Sequence, residues 1–422
     1  MSRLRTETQW AVTGLYHRRR SYSKLPETVR KFGGKRAFVL CDRDTYAAAG
    51  ERVSALLDDA EITYDLHIIE RKHPLPDERI VGESVMHCRA EDDIVIAVGG
   101  GVINDTAKIL SSMRGIPDII VATAPSMDGF ASATSSMERG GLKVSINSKC
   151  TDAVIGDTSV LACAPKKMIL SGIGDMLAKY VSIAEWRIST LVNGEYFCPR
   201  IADMVEKSLE SVMNSASLAV RADKDASGAI MEGLVLSGLC MNYAGVSRPA
   251  SGTEHYISHI TDMRALSFGT PSDFHGIQCG IATLTVIRAY KKLASITPDR
   301  EKALRSARSF DLSTWYEHLR ERLGGASDTL IALDSKEKKY DLVKHAARLD
   351  KIIENFDSIR EIIAALPSPD VLEDFMKSIS HPTEPEEIGV SREDWREAFY
   401  MAKDIRDKYI LSKLLLDIGE EI

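Results

Sequence analysis

Three of the chain's ten histidines, His255, His259 and His275, fall between residues 255 and 275. His255 and His259 stand four apart in SGTEHYISHITDM, a spacing that puts both on one helix face. His275 follows in DFHGIQCG, with room before it for a turn and the start of a neighbouring helix. A carboxylate, Asp175, stands in SGIGDMLAKY. Two imidazoles and one carboxylate form a borderline-hard donor set with open positions, suited to Zn2+, Ni2+, Fe2+ or Mn2+. An ion so held acts as a Lewis acid on a substrate oxygen. The competing account is a set of unrelated core or surface histidines. Three of them crowded into one segment without charge clusters weigh against it. The remaining seven, at 17, 67, 73, 87, 318, 345 and 381, read as structural or exposed.

A second constellation is AVGGGVINDTAK, residues 97–108. Three glycines between a strand and a helix let the backbone approach a ligand closely. The helix that follows offers unsatisfied N–H groups and a positive dipole end to a pyrophosphate. The triplet is not the common GxGxxG and follows the third strand candidate, so a plain tight turn competes with this reading. Asp42 ends an early strand in CDRDTY. A carboxylate there accepts ribose hydroxyls and repels a 2′-phosphate, which favours NAD over NADP; a turn-forming aspartate is the alternative. In TAPSMDGFAS, residues 123–132, small and hydroxyl side chains surround Asp128. That loop suits cofactor and substrate, or an ordinary Asp-Gly turn.

Such residues need a frame. Residues 36–41, 93–98 and 118–122 are apolar runs that read as strands buried on both faces of a parallel sheet, with 64–70 a weaker strand candidate beside them. Helical patterns over 47–58, 77–88 and 102–113 lie between them. This alternation predicts an α/β Rossmann-like domain, whose ligands bind outside the carboxyl ends of the strands. From about residue 164 the pattern turns helical, over 168–188, 199–220, 224–243, 253–265, 275–293, 299–309, 340–364, 368–378 and 391–418. The predicted organisation is an α/β domain, residues 1–165, followed by an all-α helical domain, residues 166–422. The charged, glycine-containing segment 322–340 reads as a surface loop.

Composition narrows the function classes. The 422 residues carry 54 basic and 61 acidic side chains, a net charge of −7. That balance argues against a nucleic-acid binder relying on broad phosphate neutralisation. No apolar run approaches the roughly 18 residues of a membrane span. The basic N-terminus, MSRLRTETQWAVTGLYHRRRSYSK, has no apolar stretch after it and predicts no secretory signal. Seven scattered cysteines without a CxxC pair suggest neither a disulfide framework nor a thiolate zinc site. A cytoplasmic enzyme acting on a small molecule is the expectation.

In order along the chain, GGGVINDTAK, TAPSMDGFAS, GIGDMLAKY, SRPASGTEHYISH and FHG resemble the metal-dependent glycerol dehydrogenase superfamily. That group includes iron-type alcohol dehydrogenases and dehydroquinate synthases. Within it the chain most resembles the bacterial branch of the sn-glycerol-1-phosphate dehydrogenases, over roughly residues 30–290. The resemblance implies a dehydroquinate synthase-like fold, NAD (or NADP), and one divalent metal: Zn or Ni, with Fe or Mn as alternatives. It implies reduction of dihydroxyacetone phosphate to sn-glycerol 1-phosphate and a homo-oligomer. It places Asp42 on the adenosine ribose. Gly99, Gly100, Gly101, Asn104 and Asp105 go to the pyrophosphate and nicotinamide, and Thr123, Ser126 and Ser132 to the NAD. Asp175, His255 and His275 become the metal ligands, the first histidine of the HxxxH pair being the ligand. Asp128 and His259 meet substrate or relay protons. Arg248, in SRPASG, is a candidate grip for substrate phosphate or else an interdomain salt bridge. One departure stands out: where many relatives carry HGEQ, this chain has Ile277 in place of the glutamate. Two other readings share these parts, a dehydrogenase of another polyol and a dehydroquinate synthase-like cyclase. A non-catalytic nucleotide-binding regulator would be expected to have lost the metal ligands.

Overall fold

Successive residues of the apolar runs point to opposite faces of one sheet, and both faces are covered. Val39, Cys41, Ile96, Val98 and Val121 pack on one side. Phe38, Leu40, Val95, Ala97 and Ile120 pack on the other. Burial on both faces is why these strands read as unbroken apolar stretches rather than alternating ones. The computed structural model describes residues 15–16, 21–140 and 142–422. The basic N-terminal stretch lies largely outside them, and His17 does so entirely.

The strands are β1 (Leu15–Tyr16), β2 (Arg36–Asp42), β3 (Thr63–Ile69), β4 (Ile94–Gly99), β5 (Asp118–Ala122), β6 (Thr134–Arg139), β7 (Leu142–Asn147) and β8 (Ala153–Gly156). Six of them form a sheet in the order β1-β8-β5-β4-β2-β3. Every pairing within it is parallel. From β2 the chain steps outward to β3, then returns to the other side of β2 for β4. The strand order therefore reverses between β2 and β4, the position where doubly wound sheets bind their ligands. The carboxyl ends of those two strands are Asp42 and Gly99. Strands β6 and β7 form a separate antiparallel hairpin. Sequence periodicity did not reveal it, because β6 (TSSMER) is polar and half exposed.

Strand formation ends at Gly156; beyond it the described chain is helical. Two compact units emerge, Met1–Met176 with Lys207–Val246, and Leu177–Glu206 with Ser247–Ile422. The first unit takes in a later segment because Met231 and Val235, on the helix Lys224–Ala244, join the core on one sheet face. The second unit is built from helices. Its helices Thr253–Phe268 and His275–Ala294 carry the clustered histidines.

The segment 322–340 is not a loop. It closes one helix, Leu312–Leu323, and forms another, Ala326–Glu337. Gly324, at φ +57°, makes the break between them. Leu330 and Asp334 are buried, so the charged sequence hides an inward face. No helix among the described residues is long and apolar enough to cross a membrane.

Candidate functional site

In the helical unit, the two metal-candidate imidazoles are fixed by partners on a single helix. Glu254 Oε1 accepts from His255 Nδ1 at 2.9 Å, and Ser258 Oγ pairs with His275 Nδ1 at 2.8 Å. Glu254 is itself held, since its Oε1 also accepts the Gly252 N–H at 2.7 Å. Anchoring Nδ1 orients each ring and aims Nε2, the usual preparation of a metal-binding histidine, and the acceptor-only Glu254 carboxylate also sets the His255 tautomer. The His255 and His275 ring centroids lie 5.0 Å apart. Donor atoms of His255, His275 and Cys279 fall within 4.8 Å of one another, and so do those of His259, Asp262 and His275. Two anchored imidazoles with further donors at that range fit a divalent ion. His259 stacks on His275 with centroids 5.5 Å apart and lies 6.3 Å from the Tyr256 ring. Burial pushes the Cys279 thiol up, but His255 and His275 outweigh it and leave it below its ordinary value.

In the α/β unit, the predicted loop and carboxylates do meet. The buried Asp175 carboxylate accepts the Asp128 N–H at 2.8 Å. Ser237 Oγ donates to Asp128 Oδ2 at 2.9 Å. The loop sits close to the Asp175 helix, Lys166–Leu177: a Cβ added at Gly172 would lie 2.0 Å from the Pro125 carbonyl oxygen. Only glycine permits that approach, and Ser171 Oγ adds a bond to the Ser126 carbonyl at 2.9 Å. Thr123 ties the loop to β4 through its N–H on the Gly99 carbonyl, 3.2 Å away.

At the end of β4, Gly100 caps the helix Gly101–Arg114 without a side-chain cap. That leaves the first-turn N–H groups without the usual side-chain partner, at the point where strand order reverses, which fits a pyrophosphate. Gly99 is close-packed, its Cβ position only 2.7 Å from Ile103. Asp42 stands at the end of β2 and caps the short turn after it, Oδ1 accepting the Thr45 N–H at 2.8 Å. The turn-forming role is therefore present.

Asn104 and Asp105 are buried and tied into the fold. Asn104 Nδ2 donates to Asp105 Oδ1 at 3.0 Å, and Asp105 Oδ2 accepts the Ser136 N–H at 3.0 Å. Burial pushes the Asp105 carboxyl up, and Lys108 pulls it back only in part. Ser132 Oγ donates to the Thr134 carbonyl at 2.9 Å.

Residues 18–165 match the family model described as iron-containing alcohol dehydrogenase. A Halalkalibacterium halodurans protein named glycerol-1-phosphate dehydrogenase (NAD(P)+) is 33% identical over 353 residues, covering 78% of the chain and 88% of the relative. The chain belongs to the glycerol-1-phosphate dehydrogenase family. A Bacillus velezensis relative of the same name is 36% identical over 278 residues, 64% of the chain and 71% of that protein. Among solved structures, an iron-containing alcohol dehydrogenase from Thermotoga maritima aligns with a TM-score of 0.59 at 14% identity, covering 97% of this chain and 96% of that one. A probable glycerol dehydrogenase from Sinorhizobium meliloti gives a TM-score of 0.59 at 19% identity, over 95% and 93% of the two chains. At these identities the structures show the shared fold alone.

In this member of the glycerol-1-phosphate dehydrogenase family, Arg248 is held in a salt bridge, one of its two sequence readings, but within the helical unit rather than between domains. It is 2% exposed. Its guanidinium forks onto Glu195 at 2.8 and 2.6 Å and donates to the Tyr409 carbonyl at 2.8 Å and to Ser189 Oγ at 3.2 Å. All these partners belong to its own unit, and a phosphate would have to displace Glu195. Ile277 is core, while Glu254 and Ser258 hold the imidazoles.

Sequence reasoning passed over Glu254, Ser258, Cys279 and Lys108. Two of them carried a readable signal: Ser258 is four residues after Glu254, and Cys279 four after His275, so each pair shares a helix face. Lys108 closes the glycine motif and is fully buried. Its ammonium donates to the carbonyls of Gly129, Ser132 and Thr134 at 3.0, 3.2 and 2.6 Å and lies 3.3 Å from Asp105.

Proposed function

We propose that the chain interconverts dihydroxyacetone phosphate and sn-glycerol 1-phosphate with NAD(P)H, using one divalent metal. The observation that carries this reading is the anchored pair His255 and His275 in a chain of this family. A divalent ion bound there supplies Lewis-acid polarisation of the substrate oxygens. His255 and His275 hold it through Nε2, with Asp175 as the carboxylate ligand. Zn2+ or Ni2+ suits these donors best, with Fe2+ or Mn2+ as alternatives.

The turn Gly99, Gly100 and Gly101 receives the cofactor pyrophosphate, and Asp42 its ribose, which favours NAD. Thr123, Ser126 and Ser132 shape the cofactor wall. Asn104, Asp105 and Lys108 keep that wall in place through the bonds described above. His259 passes a proton through its imidazole to the substrate oxygen as hydride arrives, and Asp128 orients the substrate. The balance is one ketone, one NAD(P)H and one proton for one alcohol and one NAD(P)+. The protein acts in the cytoplasm, as a homo-oligomer, on a small molecule.

A second reading has an observation behind it. With Arg248 committed to Glu195, the cation named for the phosphate is not available. A dehydrogenase of an unphosphorylated polyol needs none. The experiment is NADH oxidation by metal-stripped protein resupplied with Zn2+, Ni2+, Fe2+ or Mn2+. Dihydroxyacetone phosphate and dihydroxyacetone serve as paired substrates. Metal-dependent oxidation with the phosphate supports the first reading; oxidation with dihydroxyacetone alone selects the second. No net oxidation of NADH with either substrate and any metal overturns the glycerol 1-phosphate reading and leaves dehydrogenases of other polyols and the cyclase class.

A further inference from the structure

Cys279 lies four residues beyond His275 on the same helix and is fully buried. Its Sγ is 3.5 Å from His275 Nε2, the ring nitrogen other than the one that meets Ser258, and 3.9 Å from Nδ1. The donor atoms of His255, His275 and Cys279 all lie within 4.8 Å of one another. A nitrogen and a sulfur bound to one tetrahedral ion at about 2.05 and 2.3 Å are about 3.6 Å apart. The observed separation is that of two ligands sharing an ion. An S–H···N hydrogen bond spans a similar distance, and the two arrangements differ in whether the thiol keeps its proton.

We propose that Cys279, as its thiolate, is a direct donor to the divalent ion of His255 and His275, an inference that rests on the metal reading above. On binding, the S–H bond is replaced by a sulfur–metal bond and the proton leaves to solvent; nothing is oxidised or reduced. A sulfur donor shifts the site's preference toward softer ions, Zn2+ and Co2+ over Mn2+. It does not close the ion to substrate, because such sites expand to five-coordinate during reaction.

The test loads the metal-stripped full chain with Co2+ and records near-ultraviolet absorption together with calorimetric binding. The wild type is expected to show a thiolate-to-cobalt charge-transfer band. Cys279→Ser is expected to bind Co2+ without that band and to release about one proton fewer per ion bound at neutral pH. Its Zn2+ affinity falls by about tenfold or more, while its Mn2+ affinity changes far less. Cys279→Ala gives the same contrast if the serine variant folds poorly, and the wild-type spectrum stands without any variant. Bound Co2+ with no band overturns the proposal, places the ion among other donors such as His259 and Asp262, and leaves the metal reading intact. A band that survives in Cys279→Ser also overturns it. Failure of the wild type to bind Co2+ sinks the metal reading and this inference together.

Discussion

The α/β unit and the helical unit are prepared for ligands in opposite ways. In the first, the candidate side chains are spent on one another: Asp175 on the Asp128 N–H, Asp128 on Ser237, Asp105 on Ser136 and Lys108. Apart from the carboxylates of Asp42, Asp128 and Asp175, what that unit presents is backbone, a glycine turn and a helix N-terminus at the reversal of strand order. In the second, side chains are themselves the donors, and their neighbours do the positioning: Glu254 and Ser258 grip one nitrogen of each imidazole. A site made of backbone depends on whatever holds the loop, whereas a site made of side chains depends on the donors and their immediate partners. Mutations should therefore separate the two cleanly.

The largest effect is expected at Lys108. Replacing it with methionine keeps the aliphatic stem but strips three carbonyls and Asp105 of a buried cation. Breaking a buried charge pair from one side costs about 3–5 kcal/mol. Lys108→Met should lose that much in chemical denaturation, and the folded fraction should bind NAD(P)H poorly while holding Zn2+ within about threefold of wild type. A folded variant that still bound NAD(P)H normally would show that the 129–134 segment does not shape the cofactor wall.

Glu254→Gln should give the mirror image. The amide can still accept from His255, but the carboxylate charge that sharpens the imidazole as a donor is gone. Losing such a partner typically costs 10–100-fold in metal affinity. Zn2+ affinity should fall by about that factor with NAD(P)H affinity unchanged. Equal losses of both ligands would erase the distinction between the units.

How far the sequence exposed this arrangement depends on the range of the interactions involved. The sheet was legible because burial on both faces leaves unbroken apolar runs, as in 94–98. The His255–His259 pair was legible because spacing along one helix is local. The β6–β7 hairpin was not, since half-exposed strands such as TSSMER carry no apolar run. The partner of the Arg248 salt bridge was not legible, because its counter-charge, Glu195, is 53 residues away in sequence. The glycine motif was read for its turn, but Lys108 within it answers carbonyls more than 20 residues ahead. Local spacing names candidate ligands; it does not say which charges the fold has already used.

The smallest expected effect is one of pH, and it belongs to the helical unit. Glu185 is buried and accepts the N–H groups of Thr253 and Leu411, each at 2.9 Å, so it braces the start of the His255 helix. Burial first, and then the charge of Glu254, push its carboxyl up to about 7 from an ordinary 4.5. Between those values the folded chain holds a proton that the unfolded chain has released. Its contribution to stability is complete at pH below the unfolded value and is lost as pH rises through the folded one. Glu185→Gln carries no such proton. The difference in unfolding free energy between wild type and variant should therefore move against the wild type from pH 5 to pH 8, by on the order of 1 kcal/mol. Denaturation of both proteins at several pH values measures it. A constant difference across that range would mean that Glu185 is already ionised at pH 5, its charge carried by the Thr253 and Leu411 donors. The brace on the His255 helix would then be as insensitive to pH as the backbone turn at Gly100.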